Sequence, residues 1–168
     1  MTDNQRDVDA GVAARIRAFL AQHTTLSLAT VSLDGKPAAA AVFYAAGDAL
    51  DLYFLSEERT EHGQNLLRQG TVAGTIQADG QDWRTIRGLQ LRGHARIVNP
   101  DELVHATAIY ARRFGFVAGL VAGQSGPGVL SGPLARARFW ILQPTWLRLI
   151  DNTVRFGHKE ELLLDETR

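Results

Sequence analysis

The chain of 168 residues contains no cysteine. Disulfides, thiolate nucleophiles and cysteine-ligated zinc are therefore excluded. It also lacks any surplus of charge, with 18 basic side chains against 18 acidic ones. Nucleic acid and anionic membranes select a basic excess, so neither is an expected partner. Zero net charge still permits a local pocket for a small anion. No apolar run approaches the roughly 20 residues of a membrane span. The opening MTDNQRDVDAG lacks the basic, apolar character of a signal peptide, so a cytoplasmic protein is expected. Five histidines (His23, His62, His94, His105 and His158) show neither H-x-H nor H-E-x-x-H spacing, and no metal site is expected. The glycine-rich stretch from Gly119 to Gly132 lacks the Gly-Lys-Ser/Thr ending of a phosphate-binding P-loop.

What is present is a hydrophobic fraction of 45%, enough to fill one core. Residues 1–12 read as a flexible N-terminus and 13–164 as a single domain. Val12, Ile16, Phe19 and Leu20 recur at helical spacing. From Thr25 the period falls to two, and turn signals at Asp34-Gly35 and Gly47-Asp48 divide three strands of a meander. The polar knot Ser56–His62 opens a brief helix, with Gly70 expected as its C-terminal cap. A fourth strand is expected over Val72–Gln77 and a fifth over Arg84–Val98. Asn99-Pro100-Asp101-Glu102 signals a helix start, and the helix is expected over Pro100–Phe114. The segment Gly115–Pro133 reads as a short helical turn and an irregular loop. Arg136–Leu142 and Trp146–Ile150 form a hairpin-like pair broken by Pro144, followed by a tail from Val154 to Leu164. The pattern is mainly β with peripheral helices (α+β), as in a six-stranded antiparallel split β-barrel of Greek-key type.

Three stretches could carry chemistry. In the knot, Ser56 and Thr60 offer hydroxyls, Arg59 and His62 offer positive charge, and the helix start offers free N–H groups. That is a donor set for a phosphate ester; a plainer reading is that Ser56 caps the helix while Glu57 and Glu58 favour its dipole. In the fifth strand, "WRTIRGLQLRG", alternation sends Leu89, Leu91, Gly93, Ala95 and Ile97 inward. Gly88, Gln90, Arg92, His94 and Arg96 then face outward. Gly88 leaves a bare spot beside the two-way hydrogen-bonding group of Gln90. The third stretch is the tail "DNTVRFGHK", which gathers Phe156, a glycine, His158 and Lys159.

The segments "TLSLATVSLDGKPAAAAVFYA", "LYFLSEERTEHGQNL" and "WRTIRGLQLRGHARIV" resemble the pyridoxamine 5'-phosphate oxidase-like superfamily of FMN-binding split barrels. The W-x-x-I-x-G-L-Q-L-x-G and D-N-x-x-x-F-G-H-K stretches are similar to an uncharacterised branch of it, and the resemblance spans Ala13 to Leu163. It implies an FMN-dependent oxidoreductase of unknown substrate, a homodimer with cofactor sites at the subunit interface. The second strand (Ala40, Ala41, Val42, Phe43, Tyr44) would run beside the flavin ring, largely through backbone groups. Ser56, Thr60 and His62 would hold the phosphate. Glu61-His62 replaces the Arg-Lys pair of better-known members, so Arg59 or Arg84 would have to compensate. Trp83, Gly88 and Gln90 would approach the ring, and Phe156, His158 and Lys159 would join if the tail folds over it. The C-terminal Trp and Arg-Leu-x-Pro motif that receive the vitamin B6 substrate are not found here, so pyridoxamine-phosphate oxidation is not expected. Related split barrels handle haem, which would make His158 an iron ligand, or deazaflavin, and a non-catalytic flavin-binding protein is a further alternative. No side chain is identified as a general acid or base.

Overall fold

The computed structural model describes residues 3–117 and 130–165. Among the described residues the main elements follow in the order α1 (Asp3–Gln22), β1 (Thr25–Val31), β2 (Pro37–Ala46), β3 (Leu52–Glu57), α2 (Glu61–Arg68), β4 (Thr71–Gln77), β5 (Arg87–Ile97), α3 (Leu103–Arg113), β6 (Ala137–Asp151) and β7 (Lys159–Leu163). All pairings are antiparallel. The sheet order β3-β2-β1-β4-β5-β6 closes through β3–β6, making a six-stranded barrel, and β7 adds to the edge of β6. The order β3-β2-β1-β4 is a Greek key, because the chain returns through α2 to lay β4 beside β1.

Alternation builds the interior. Leu26 and Leu28 of β1, Phe54 of β3, Ile76 of β4, Leu89 and Leu91 of β5 and Trp140 of β6 are buried in one cluster. Val12, Ile16, Phe19 and Leu20 of α1 join it. Phe54 and Trp140 stack with centroids 6.1 Å apart. A second cluster lies outside the barrel, where Ala106, Ile109 and Tyr110 of α3 meet Tyr53, Phe139 and Ile141. α2 is pinned by Asn65, which is buried and donates to Thr30 Oγ1 at 3.1 Å. Each of these buried polar atoms thereby satisfies the other.

Several boundaries differ from expectation, each for a local reason. Helix α1 already runs from Asp3, so the helix is longer than the apolar spacing suggests. Strand β5 begins at Arg87, because Thr85 N–H bonds back to Asp82 O and holds residues 82–85 in a turn. Helix α3 starts at Leu103 rather than Pro100. The Glu102 carboxylate nevertheless accepts the Asn99 N–H at 2.9 Å, the acidic half of a capping box. Gly70 is no left-handed cap: Gln69 is the C-cap of α2. A Cβ at Gly70 would sit 2.6 Å from Ala95 O, so glycine there permits close approach to β5.

The expected break at Pro144 is a correction of greater weight. β6 is one continuous strand of 15 residues. The register with β5 jumps from Arg92↔Trp146 to Gly93↔Pro144, so Thr145 is the extra residue of a bulge. Pro144 is tolerated at that irregularity, where a ladder donor is not required. Residues 118–129, which include most of the expected loop, lie outside the described residues.

Candidate functional site

The polar knot forms where β3 ends and α2 begins. Ser56 Oγ lies 2.6 Å from His62 Nε2 and 3.4 Å from Thr60 Oγ1, and Thr60 Oγ1 lies 3.2 Å from His62 Nε2. Thr60, not Ser56, is the N-cap: its hydroxyl accepts the Gly63 N–H at 3.1 Å and donates to Glu57 O at 2.8 Å. Gly63 is obligatory, since a Cβ there would meet Glu57 O at 2.5 Å. Burial pushes the His62 imidazolium down from its ordinary pKa, with Glu61 pulling weakly the other way. The ring is therefore neutral at pH 7. The arginines nearby are occupied, Arg59 by Glu57 and Arg138 by Glu58. The Ser56 hydroxyl and the His62 ring hydrogen-bond each other, and an anion here would be met by them and by the first-turn N–H groups of α2 that the cap does not use.

Beside the knot, β2 has an open edge. It pairs with β1 from Pro37 to Phe43 but with β3 only from Tyr44 to Ala46. Successive residues of a strand turn their N–H and C=O groups to opposite edges. Tyr44 N–H bonds Thr24 O on the β1 side. Phe43, Ala41 and Ala39 consequently turn theirs to the open edge, where the Tyr110 hydroxyl donates to Phe43 O at 3.3 Å. Of the five β2 residues expected at the ring, Val42 and Tyr44 are core residues whose side chains point inward; Tyr44 donates its hydroxyl to Leu20 O.

Around the barrel from that edge runs a row of paired, outward-facing residues, Ala41↔Ser27↔Thr75↔Gln90↔Arg148. Three strand spacings, about 15 Å, separate Ala41 from Gln90. A shallow groove of about 400 Å³ follows this row, and Ala39, Ser27, Thr75, Gln90, Trp146 and Arg148 are among its lining residues. Trp146 went unnoticed in the sequence, although the alternation of Trp146 and Arg148 with Leu147 and Leu149 marks it as outward. Arg92 and Arg148 lie over its ring at 4.5 and 4.7 Å, and its indole N–H donates to Glu161.

A second cavity, of about 260 Å³, adjoins the groove and shares Thr75 and Gln90 with it. Ile86, Gly88 and Ile150 also line it. The residues expected from the tail gather close by. Asn152 donates from its backbone to Ile86 O and from its side chain to Trp83 O, and its own Oδ1 accepts the Gly157 N–H. This clamp sets Trp83 edge-to-face against Phe156 at 5.9 Å. Arg84 lies over the Trp83 ring and Arg87 pairs with Asp151 at 2.9 Å, so both belong to this hairpin rather than to the knot. His158 Nδ1 is shielded and has no hydrogen-bond partner, while Lys159 is exposed at the start of β7. A third cavity, near 300 Å³ and lined by Arg17, Arg112 and Arg113, lies between the ends of α1 and α3. Arg17 and Arg113 donate to Asp48 O and His23 O there.

Residues 12–150 match the family described as pyridoxamine 5'-phosphate oxidase. The chain belongs to that family. Within it, the chain is 32% identical over 115 residues to a UPF0306 protein of Klebsiella pneumoniae, covering 67% of this chain and 66% of that protein. A UPF0306 protein from a second strain of that species is 32% identical over 133 residues, 77% of this chain and 78% of the relative. The fold is shared with a haem binding protein from Mycobacterium smegmatis (TM-score 0.65, 20% identity, 86% of this chain and 55% of that one). It is shared too with an F420 reductase (TM-score 0.54, 20% identity, 77% and 93%). No helix among the described residues is long and apolar enough to cross a membrane, and no cluster of potential metal ligands is found among them.

Proposed function

We propose that the protein is a homodimeric FMN-binding oxidoreductase. The observation that carries this reading is the open β2 edge beside the knot, which offers backbone groups for a ring system and hydroxyl, imidazole and amide donors for a phosphate. When bound, FMN supplies hydride or electron transfer. Ser56, His62 and the first-turn amides of α2 hold the phosphate, with Thr60 fixing the turn that presents them. Ala39 and Ala41 hydrogen-bond the ring edge through their main-chain groups. A second copy covers the outer sheet face, where Phe43 stands 57% exposed, and closes the groove over the cofactor.

Haem and deazaflavin are the competing occupants, the first with His158 as the candidate iron ligand. Titration of the purified protein with FMN, riboflavin, haem and a deazaflavin separates them, with sedimentation giving the subunit number. Saturable FMN uptake by a dimer is expected. Riboflavin should bind at least about tenfold more weakly, because each charge-assisted hydrogen bond to phosphate contributes roughly 1.5–3 kcal/mol. Ser56→Ala should weaken FMN but leave riboflavin unchanged. Haem uptake without flavin uptake would overturn the cofactor; equal affinity for FMN and riboflavin would overturn the phosphate site.

A further inference from the structure

Three arginines around the cavity of about 300 Å³ carry charge that the fold does not use up. Arg112 and Arg113 close α3, where cations favour the negative end of the helix dipole. Arg17 has no such role, because it precedes the last turn of α1. Arg15, Arg87, Arg96 and Arg148 each pair with a carboxylate. Arg17, Arg112 and Arg113 form no ion pair among the described residues.

Two of the three are fixed by neutral groups instead. Arg17 Nε donates to Asp48 O at 3.1 Å, and Arg113 Nη2 donates to His23 O at 3.0 Å. A carbonyl orients a guanidinium without cancelling its charge, and both Nη groups of Arg17 are left for a ligand. The charge reaches its surroundings: after burial, Arg87 and Arg113 push the His23 imidazolium below its ordinary pKa. Asp48 O is held opposite Arg17 by a strained turn. Leu50, buried with φ 70°, is the one non-glycine residue in the left-handed region among the described residues.

Charge balance decides what could enter. Against three positive charges stand the ends of two helices, about half a negative charge each, and Asp48, which leaves a surplus of about one. The rest of the lining is apolar, with Leu20, Ala45 and Ile109 all buried. The volume lies at the small end for ligand sites, room for about one ring.

The geometry points to this cavity as a binding site for a small organic monocarboxylate, its oxygens held by Arg17, Arg112 and Arg113 and its apolar body set against Leu20, Ala45 and Ile109. Guanidinium forks match the paired oxygens of a carboxylate. The cavity shares no lining residue with the groove or with the cavity beside it, so the site is separate from the proposed cofactor seat and does not rest on the FMN reading.

The test is calorimetric titration of the full chain at low ionic strength with benzoate and with its neutral isostere benzamide. Benzoate is expected to bind saturably, shifting the Gly47 and Asp48 amide signals in NMR spectra, and benzamide at least about tenfold more weakly, the factor one charge-assisted hydrogen bond supports. Arg112 is exposed and bonded to no described residue, so Arg112→Gln should weaken benzoate about tenfold with the thermal midpoint unchanged. Arg112→Lys, which keeps the charge and loses the fork, should fall between, and Arg17→Gln should weaken benzoate too. Equal binding of the two probes, or benzoate binding unaltered in both glutamine variants, would overturn the site. Benzoate binding lost in Ser56→Ala would also overturn it, by placing the anion in the knot. Tighter binding of phenyl phosphate than of benzoate at the same arginines would overturn the carboxylate assignment.

Discussion

Replacing Gly93 by alanine should damage the fold far more than replacing Gly88, five residues earlier on the same strand. The new methyl at Gly93 would lie 2.2 Å from Gln143 O and 2.8 Å from Pro144 Cα, both backbone atoms of β6. Ordinary contact begins near 3.4 Å, so the strands must part by more than 1 Å at the bulge. No rotamer can relieve a clash between backbone and Cβ. Overpacking costs about 1–3 kcal/mol, and weakening a flanking ladder hydrogen bond adds about 1 kcal/mol. A destabilisation of roughly 2–4 kcal/mol follows, a fall in Tm of about 5–15 °C for a domain of this size. At Gly88 the methyl has room, and the reduced entropy of the unfolded chain makes alanine neutral or stabilising by up to about 1 kcal/mol. Thermal and urea unfolding of both variants, at one protein concentration because a dimer's stability depends on it, measures the contrast. A Gly93→Ala protein within 0.5 kcal/mol of the parent, by the usual standard of a silent surface change, would refute the bulge argument.

Two titrating groups give further predictions. The paired hydrogen bonds from Arg96, each 2.7 Å, hold the Glu102 carboxyl down to about 2. The stability this contributes is fully present above the unfolded value near 4.5 and is lost as pH falls toward 2. Because both partners are partly exposed, Glu102→Gln should cost only about 1–2 kcal/mol at pH 7 and flatten the acid limb of the stability curve. An unaltered acid limb in denaturant titrations would count against it. His62 is half-buried and desolvation lowers its pKa, so its contribution is present above the ordinary histidine pKa and lost as pH falls through its lowered folded value. His62→Gln should remove that component of the acid sensitivity, and an NMR titration placing the His62 pKa at or above 6.5 would refute the stated burial.

Much of the barrel was legible in the chain because a strand with one face in the core must alternate. Leu26 and Leu28, or Leu89 and Leu91, allow one register and one inward face. The Ser56–His62 knot was legible too, since hydroxyls ahead of an apolar helical run mark a helix start, although the capping role fell to Thr60. Closure was not. That β3 pairs along its whole length with β6, and so closes the barrel, depends on contacts between segments 80 to 90 residues apart. Local periodicity carries no information about such contacts. The same holds for Pro144, a break by local rules that becomes a bulge once Gly93 admits the opposing backbone. It holds for Trp83 and Phe156 as well, distant in sequence and joined only because Asn152 clamps one hairpin to one loop. The sequence by itself determined which faces are apolar and where the chain turns, because those follow from side-chain period and backbone preference. Tertiary structure alone decided which edge stays open and which glycine is free, because both depend on what the rest of the chain brings alongside.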